Sequence, residues 1–362
     1  SPVFERFWHF WGNHFAISEK DHLAQFSVGP YQREIIRPNM VNTFEQMARD
    51  VTTSWCMIHH LDNSESVGPL SKWGIKSRET INENHARELL ELHTISPEVG
   101  YSQEDVIQMT YVMTGWQHKW DRTRLETGDI WFNFEAHQPN KKIILGKTYN
   151  PDGKRELFNV VKDLVKHPNC KRFIATKLCR HFITDYPTEE MIKPIISVWE
   201  KSDGFLPEIH KAVVKAAFDY ASTTSKFQQP ETWALQVVRM FGLYWIPKPD
   251  RMKYNFKKEP TDSQREIEWA LEELGHLPYR PAQPNGWSDF EEDWISPELI
   301  IRRLIFAARM ANRGLVRDDN IIKTIIEKNF NQPENIYKLL DGQEDYKNML
   351  AIICNSPEML KA

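Results

Sequence analysis

Cysteine is scarce in this sequence, with four residues among 362. None of the four has the Cys-x-x-Cys spacing of structural zinc sites and thioredoxin-like redox pairs, so both classes lose support. Four cysteines are also too few for a disulfide scaffold in a chain of this length. We expect buried free thiols, and only geometry can decide whether Cys170 and Cys179 form a bridge.

Long apolar runs and an excess of one charge are also missing. The 46 basic and 50 acidic residues give a net charge of -4, which argues against a nucleic-acid-binding surface or a polybasic membrane anchor. No run reaches the roughly 18 apolar residues of a membrane-spanning helix, because even the apolar stretch 304–311 contains Arg309. With 41% hydrophobic residues, the composition predicts a globular protein with a sizeable core.

Several sequence motifs typical of particular enzyme or binding classes are absent. The sequence has no GxGxxG or Walker loop, no GxSxG elbow, no HExxH pair and no EF-hand loop. Familiar nucleotide-binding loops, elbow-type serine hydrolases and zincin proteases therefore lose support.

Helical periodicity dominates what is present. Apolar residues from Phe44 to Ile58 recur at three- and four-residue steps and predict a helix over 44–61. Spacings typical of capping boxes predict further helices that start at Thr80, reaching about 94, and at Ser102. Proline after Ser296 predicts another helix to about 311. The remaining predicted helices cover 154–166, 169–182, 188–201, 206–221, 230–244 and 261–274, with short helices over 318–353.

One segment has a strand pattern instead. Apolar residues alternate over 130–134, and a second strand-like run covers 142–145, so we expect a β-hairpin. The predicted fold class is mainly α, a multi-helix globular fold with one small β-hairpin around 130–146.

We expect a single domain over 1–362, with a polar-site half at 1–150 that holds the hairpin and a helical scaffold half at 151–362. Two irregular segments, 247–260 and 278–293, are long loops or a linker.

The segment 82–94 carries the most informative polar residues. On a helix, Asn84, Glu88 and Glu91 share one face. Two carboxylates three residues apart can chelate a cation, or can divide into acid and base if their environments differ. A solvated polar face explains the same spacing, and Arg87 would then neutralise a neighbouring acid.

Other candidate residues lie before residue 140. Asn13 and His14 lie in an aromatic segment and are expected to be buried. Asp62 follows the predicted helix 44–61, where it can cap the helix or project into a cavity. Glu34 and Arg37 have the spacing of a helical ion pair. His137 is expected at the hairpin tip, either exposed or lining a site, and Trp116 belongs either to a stacking surface or to the core.

Nine ordered segments resemble the bacterial family catalogued as domain of unknown function 1800. They are FWHFWGNHF (7–15), YQREIIRP (31–38), LDNSESVGP (61–69), NENHARELLELHT (82–94), YSQEDV (101–106), TGW (114–116), HQPNKKIILG (137–146), HPNCKRFIATKLCRHF (167–182) and GWSDFEEDWI (286–295). The resemblance implies a mainly helical fold. It also implies a preceding amino-terminal part of the family domain, often with an export signal, which we expect this sequence to lack.

The resemblance places the polar motif positions of the family at particular residues. These are Asn13, His14, Glu34, Arg37, Asp62, Asn63, Asn82, Glu83, Asn84, Arg87, Glu88, Glu91 and His137. Helical packing can bring them together, and the resemblance carries no established activity or catalytic residue.

Our first hypothesis from the sequence is an exported enzyme of hydrolase type. Its candidate catalytic residues are Glu88, Glu91, His14 and Asp62. In one version a divalent metal ion, bound by Glu88, Glu91, His14 and His137, activates water. In the other version the carboxyl groups act as acid and base. The substrate would be held by Arg37, Arg87, Asn13, Asn84 and Trp116.

The second hypothesis is a non-catalytic cell-envelope protein. The polar residues would then form a structural ion-pair network, and the protein would bind a glycan or an envelope partner. We expect no nucleic-acid partner, and the resemblance favours a periplasmic or secreted location over a cytoplasmic one.

Overall fold

The computed structural model describes residues 1–18, 21–118, 130–240, 269–278, 280–313 and 319–361. Within these ranges the chain is mainly α-helical and has two small antiparallel sheets, which confirms the predicted fold class. None of the helices described there is long and apolar enough to cross a bilayer.

The chain divides into two compact units. The first comprises Ser1–Tyr220 and Tyr279–Trp287, and the second comprises Ala221–Pro278 and Ser288–Ala362. The chain therefore leaves the first unit, returns to it for a short segment and leaves it again.

The first unit is built from helices that bury one stripe each. Its α-helices are α1 (Pro2–His14), α2 (His22–Tyr31), α3 (Arg37–Asn39), α4 (Phe44–Thr52), α5 (Trp55–His60), α6 (Lys72–Ser77), α7 (Asn84–Glu88), α8 (Gln103–Met113), α9 (Lys154–Lys166), α10 (Pro168–Phe182), α11 (Glu189–Lys201) and α12 (Leu206–Tyr220). The bounds of α9 to α12 agree with the predicted ranges to within one residue at each end.

Aromatic side chains of α1 lie in the centre of this unit. Phe7, Phe10 and Trp11 are each at most 2% exposed. Their spacing of three and four residues keeps two turns of the helix against the core. Burying one side chain of this size contributes roughly 1.5–3 kcal/mol to stability.

Serine side chains start several of these helices. Ser102 and Asp105 form the predicted capping box at the start of α8. The predicted helix 44–61 is divided, because α4 ends at Thr52 and the Ser54 hydroxyl accepts the Met57 N–H at 3.2 Å to begin α5.

The helix predicted to begin at Thr80 begins at Asn84 instead. The Thr80 carbonyl accepts a hydrogen bond from the Val67 N–H, so the backbone at Thr80 pairs with another segment instead of starting the helix. The Asn82 side chain accepts the Asn84 N–H at 3.0 Å and satisfies a donor at the new helix start.

Among the described residues, two π-helices interrupt the α-helical geometry, π1 over Gln32–Ile36 and π2 over Leu89–Thr94. In π2 the wide turn is closed by Ile95 N–H, which donates to the Leu90 carbonyl five residues earlier at 3.0 Å. Both π-helices fall within segments that carry the polar motif residues. Such distortions are frequent at functional sites.

The β structure pairs differently from the expected single hairpin. Strand β1 (Trp116–His118) pairs with β2 (Ile130–Phe132), and β3 (Lys142–Ile144) pairs with β4 (Lys147–Tyr149). Leu145 and Gly146 connect β3 to β4 with φ values of 49° and 75°. Two consecutive left-handed residues favour a tight turn, which folds β4 directly back onto β3.

The second unit is also helical within its described residues. Its helices include α13 (Pro230–Met240), α14 (Pro297–Arg313), α15 (Asp319–Asn329), α16 (Pro333–Leu339), α17 (Tyr346–Cys354) and α18 (Pro357–Leu360). Helix α14 starts at the predicted proline. Of the predicted helix 261–274, residues 269–273 are helical, and 261–268 lie outside the described residues together with the predicted linker 247–260.

Arg303 is an unusual member of the core of the second unit. The residue is 1% exposed, its guanidinium lies over the rings of Phe227 and Trp233, and it donates to the Gln228 carbonyl at 2.7 Å. Burial lowers the pKa of Arg303 to about 10. Aromatic faces and a carbonyl thus compensate a charge held away from water.

The four cysteines are free and buried, as expected. Cys170 and Cys179 both lie on α10 and do not form a bridge. Burial raises the pKa of Cys179 to about 12, which disfavours the reactive thiolate.

Candidate functional site

Arg87 of α7 is the centre of an ion-pair network. It donates to Glu83 at 2.9 Å, to Glu91 at 3.4 Å and to the side-chain carbonyl of Gln103 on α8 at 2.9 Å. Gln103 in turn donates to Glu83 at 2.8 Å. Arg87 was predicted to bind substrate or to neutralise a neighbouring acid, and its observed contacts are of the second kind.

Glu88 stands apart from this network. Its side chain is half-buried, and burial together with the nearby charge of Glu91 raises the pKa of Glu88, with Arg87 opposing the shift. Glu91 is paired with Arg87. Burial, together with a hydrogen bond to Glu91, raises the pKa of Tyr101. Two carboxyl groups three residues apart therefore occupy different electrostatic environments.

His14 is fully buried at the end of α1. Its Nε2 lies 3.3 Å from the His93 carbonyl of π2, and its Nδ1 lies 3.0 Å from Lys177 Nζ of α10. A neutral ring with the proton on Nε2 satisfies both contacts, because Nδ1 can then accept from the ammonium group. Burial, followed by the charges of Lys177 and His93, lowers the pKa of His14 well below its usual range.

Two further histidines, His85 and His93, are fully buried. Both ring nitrogens of His85 and both of His93 have no hydrogen-bond partner in the described part of the chain. Burial lowers the pKa of both rings, that of His93 to about 3, and neighbouring His60 adds to each shift. These buried neutral imidazoles were not anticipated from the sequence.

His137 belongs to a buried triad. Its Nε2 lies 3.2 Å from Glu156 Oε1, and Lys142 Nζ lies 2.7 Å from Glu156 Oε2 and from the Gln138 carbonyl. The side chains of Lys142 and Glu156 are fully buried. Burial raises the pKa of Glu156, but hydrogen bonds from His137 and Lys142 outweigh this, so the net shift is downward.

Asn13 and Arg37, two other predicted site residues, make structural contacts within the first unit. Asn13 donates to the Trp287 carbonyl at 2.8 Å and accepts the Trp287 N–H at 2.7 Å, both within the first unit. Arg37 forms a two-bond ion pair with Glu5 of α1 at 2.7 and 2.8 Å, whereas the sequence suggested Glu34 as its partner. Its guanidinium also lies 4.3 Å from the Trp8 ring.

Asp62, Asn84 and Trp116 lie in different surroundings. Asp62 adopts the left-handed conformation at the end of α5, and the neighbouring Asn63 donates to the carbonyls of Met113 and Trp116. Asn84 is exposed at the start of α7, whereas Trp116 is buried in the core.

The structure keeps Arg87, Glu88 and Glu91 together on α7 and π2. It does not gather His14, Glu88, Glu91 and His137 into one metal centre. The described residues contain no group of three or more His, Cys, Asp or Glu side chains placed to hold a metal ion.

Three residues that were not predicted from the sequence complete these arrangements: Lys142, Glu156 and Lys177. Glu156 had a detectable signal, because it shares the apolar stripe of α9 with Leu157, Val160, Val161, Leu164 and Val165. A charge on such a stripe needs a buried partner. Lys177 lies 163 residues from His14 and had no local signal.

Fold and motif residues together define a mainly α-helical protein in which several polar motif positions, among them His14, Asn63, Arg87 and Glu91, are buried or ion-paired. The chain belongs to the family described as protein of unknown function (DUF1800), whose model matches residues 1–361. A search of curated proteins and a search of solved structures each found no significant match.

Proposed function

We propose that the protein is a hydrolase-type enzyme in which Glu88 and Glu91 act as an acid–base pair. The observation that carries this proposal is the half-buried Glu88 carboxyl, whose pKa is raised beside a second carboxyl paired with Arg87. Pairs of titratable groups with different environments are typical of acid and base roles.

In this proposal Glu88 holds a proton and gives it to the leaving group. Glu91, which is paired with Arg87, takes a proton from the attacking water. The π-helix supports the assignment. It begins directly after Glu88 and contains Glu91 and the buried His93, and such helices are frequent at functional sites.

We assign the chemistry to the carboxyl groups rather than to a bound divalent ion, since the described residues contain no suitable group of ligands. Export to the periplasm or beyond is part of the same proposal. It rests on the family resemblance alone.

The test compares Glu88→Gln and Glu91→Gln with Glu104→Gln, which removes the same charge from an exposed position on α8. Chromogenic glycosides, phosphate esters, sulfate esters and carboxyl esters form the substrate panel. We expect the two site variants to lose activity by about 100-fold or more, as general acid–base groups do, and to melt like the parent. The control should keep its activity.

A second measurement needs no substrate. Carboxyl carbon NMR of glutamate-labelled protein, assigned with Glu88→Gln, should give Glu88 a pKa above the ordinary glutamate value. An ordinary or lowered value would contradict the proposal.

The alternative function is a non-catalytic cell-envelope protein that binds a glycan or a partner. Its supporting observation is the mutual pairing of Arg87 with Glu83, Glu91 and Gln103, together with the buried Lys142–Glu156 pair. Under this alternative Glu91→Gln would lower the melting temperature, and no member of the substrate panel would be turned over.

A further inference from the structure

A buried amine and a buried carboxyl group meet between β3 and α9. Lys142, the first residue of β3, places its Nζ 2.7 Å from Oε2 of Glu156, which lies in the first turn of α9. Neither side chain has any exposed surface. The carboxyl carbon is one bond behind Oε2, so the amine lies close to the separation of about 3–3.5 Å from which reactions between positioned groups start.

Further contacts hold both groups in place. The Gln138 carbonyl accepts a hydrogen bond from Lys142 Nζ at 2.7 Å, and Oε1 of Glu156 accepts the Asp152 N–H at 2.8 Å. Two well-oriented groups of one molecule react as if each were present at a very high concentration, about 10⁵–10⁸ M in the best cases. The pair therefore has the arrangement of two reactants as well as that of an ion pair.

His137 contacts both members of the pair. Its Nδ1 lies 2.8 Å from the Thr114 carbonyl, which only accepts hydrogen bonds, so Nδ1 carries a proton. The other nitrogen, Nε2, lies 3.4 Å from Lys142 Nζ and 3.2 Å from Glu156 Oε1. Because Nε2 faces a donor and an acceptor of protons, the ring can carry a proton from the amine to the carboxyl group.

Burial favours a neutral product over this pair of ions. Holding an ammonium group and a carboxylate away from water is costly, and an amide formed from the two carries no charge. Burial also lowers the pKa of Lys142, with the hydrogen bond and charge of Glu156 opposing the shift, so the ammonium releases its proton more readily than in water. The same burial keeps bulk water, the reactant of the reverse hydrolysis, away from the bond.

We propose that Lys142 and Glu156 condense in the folded chain to an amide cross-link, with His137 as the proton carrier. The ion pair is the reactant, and the bond joins β3 to α9. The reaction needs no oxidant, reductant or second substrate. This proposal does not depend on the acid–base roles of Glu88 and Glu91.

The condensation balances within these three side chains. His137 Nε2 removes one proton from the Lys142 ammonium, and the neutral Nζ attacks the carboxyl carbon of Glu156. A C–N bond forms while the imidazolium gives its proton to Oε1. His137 then moves a second proton from Nζ to the same oxygen, the bond from carbon to Oε1 breaks, and water leaves. Oε2 becomes the amide oxygen, and His137 returns to its starting state.

Mass spectrometry of the whole denatured chain tests the proposal. Protein made by cell-free synthesis is sampled over time after translation. We expect the mass to fall from that of the sequence by one water molecule as the folded chain matures. Tandem mass spectrometry of a tryptic digest should then identify a branched peptide that joins Lys142 to Glu156, and trypsin should no longer cleave after Lys142.

Variants assign the bond and its proton carrier. Lys142→Met should abolish the loss of mass, whereas Lys141→Met, at the exposed neighbouring position, should keep it. His137→Gln should slow the loss by about 100-fold or more, as the removal of a general acid–base group does. Chain kept in urea from the end of synthesis should not react, because the two groups meet only in the folded state.

A mass that stays equal to that of the sequence after prolonged incubation would overturn the proposal and leave an ion pair. A loss of water that persists in Lys142→Met would also overturn it, because the Asp152–Gly153 sequence can lose water by closing to a succinimide. Equal rates in the parent and in His137→Gln would remove the role of His137. If Lys142→Met does not fold, the branched peptide of the parent decides the question: its presence establishes the bond, and its absence excludes it.

Discussion

Lys142 places a positive charge where none of its side chain meets solvent, and Glu156 supplies the matching negative charge at 2.7 Å. Desolvating both ions is costly, so the pair contributes little net stability compared with apolar residues of the same size. Breaking it is different, because the remaining charge is buried without its partner.

We therefore predict that Lys142→Met destabilises the first unit by about 3–5 kcal/mol. Urea denaturation followed by tryptophan fluorescence measures the change. The neighbouring Lys141→Met, at an exposed position, should change stability by no more than about 0.5 kcal/mol. Replacing both Lys142 and Glu156 with methionine should restore part of the loss, and a double variant as unstable as the sum of the single variants would contradict this account.

Individual site residues were predictable where the signal was local. The aromatic residues around His14 indicated its burial, and the spacing of Glu88 and Glu91 placed them on one helix face. The partners of His14 and Arg37 were not predictable, because Lys177 and Glu5 lie on other helices and reach their partners only through packing.

At the scale of elements, helical periodicity predicted where most helices lie but not the π geometry. A π-helix differs from an α-helix by one extra residue in a turn, and the apolar pattern of 89–94 is compatible with both. The positions of β2 and β3 were likewise visible in the sequence, whereas β1 and β4 were not predicted. The pairing of the strands was not visible, because it depends on the tight turn at Gly146 and on which segments meet in the folded chain.

The short segment that ends at Trp287 is held to α1 by a close backbone approach. A Cβ on Gly286 would lie 2.4 Å from the Asn13 carbonyl oxygen and 2.6 Å from its Oδ1. The residue also has a φ of 76°, which favours glycine.

We predict that Gly286→Ala destabilises the first unit more than Gly100→Ala does. Gly100 has a similar φ of 74°, and a Cβ added there would meet no atom within 4 Å, so its substitution costs only the backbone contribution of about 1–2 kcal/mol. Differential scanning calorimetry of both variants gives the comparison. Equal losses would show that the approach to Asn13 adds nothing to stability.

At the scale of the whole molecule, buried neutral histidines make stability depend on pH. Burial lowers the pKa of His14, His85, His93 and His210, the last two to about 3. In the unfolded chain a histidine titrates near pH 6.5. As pH falls below that value the unfolded state takes up protons that the folded state does not, so stability decreases.

We predict that the free energy of unfolding falls between pH 6.5 and about 4.5, by about 1.4 kcal/mol per pH unit for each of these histidines once its unfolded form is fully protonated. Glu88 opposes this loss of stability. Its pKa is raised in the folded state, so as pH falls the folded chain takes up this proton before the unfolded chain does. Carboxyl groups with lowered pKa values, such as Glu156, add to the loss only at lower pH. Urea denaturation at a series of pH values measures the slope.

His85→Leu should reduce that slope by about 1.4 kcal/mol per pH unit, which corresponds to one proton, since one titrating group is removed. Val106→Ala is the matched control, because it lowers stability at a buried position of α8 without removing a titrating group. A slope that is the same in the parent and in His85→Leu would exclude His85 as a source of the acid sensitivity.

The path of the chain between the two units has a consequence for synthesis. Asn13 finds its partner at Trp287, 274 residues later, after part of the second unit has already been made. Domains usually fold in the order in which they leave the ribosome. Here the first unit acquires its last segment only once Trp287 has been translated, so a nascent chain arrested before that point would hold α1 with the Asn13 side chain still lacking this partner.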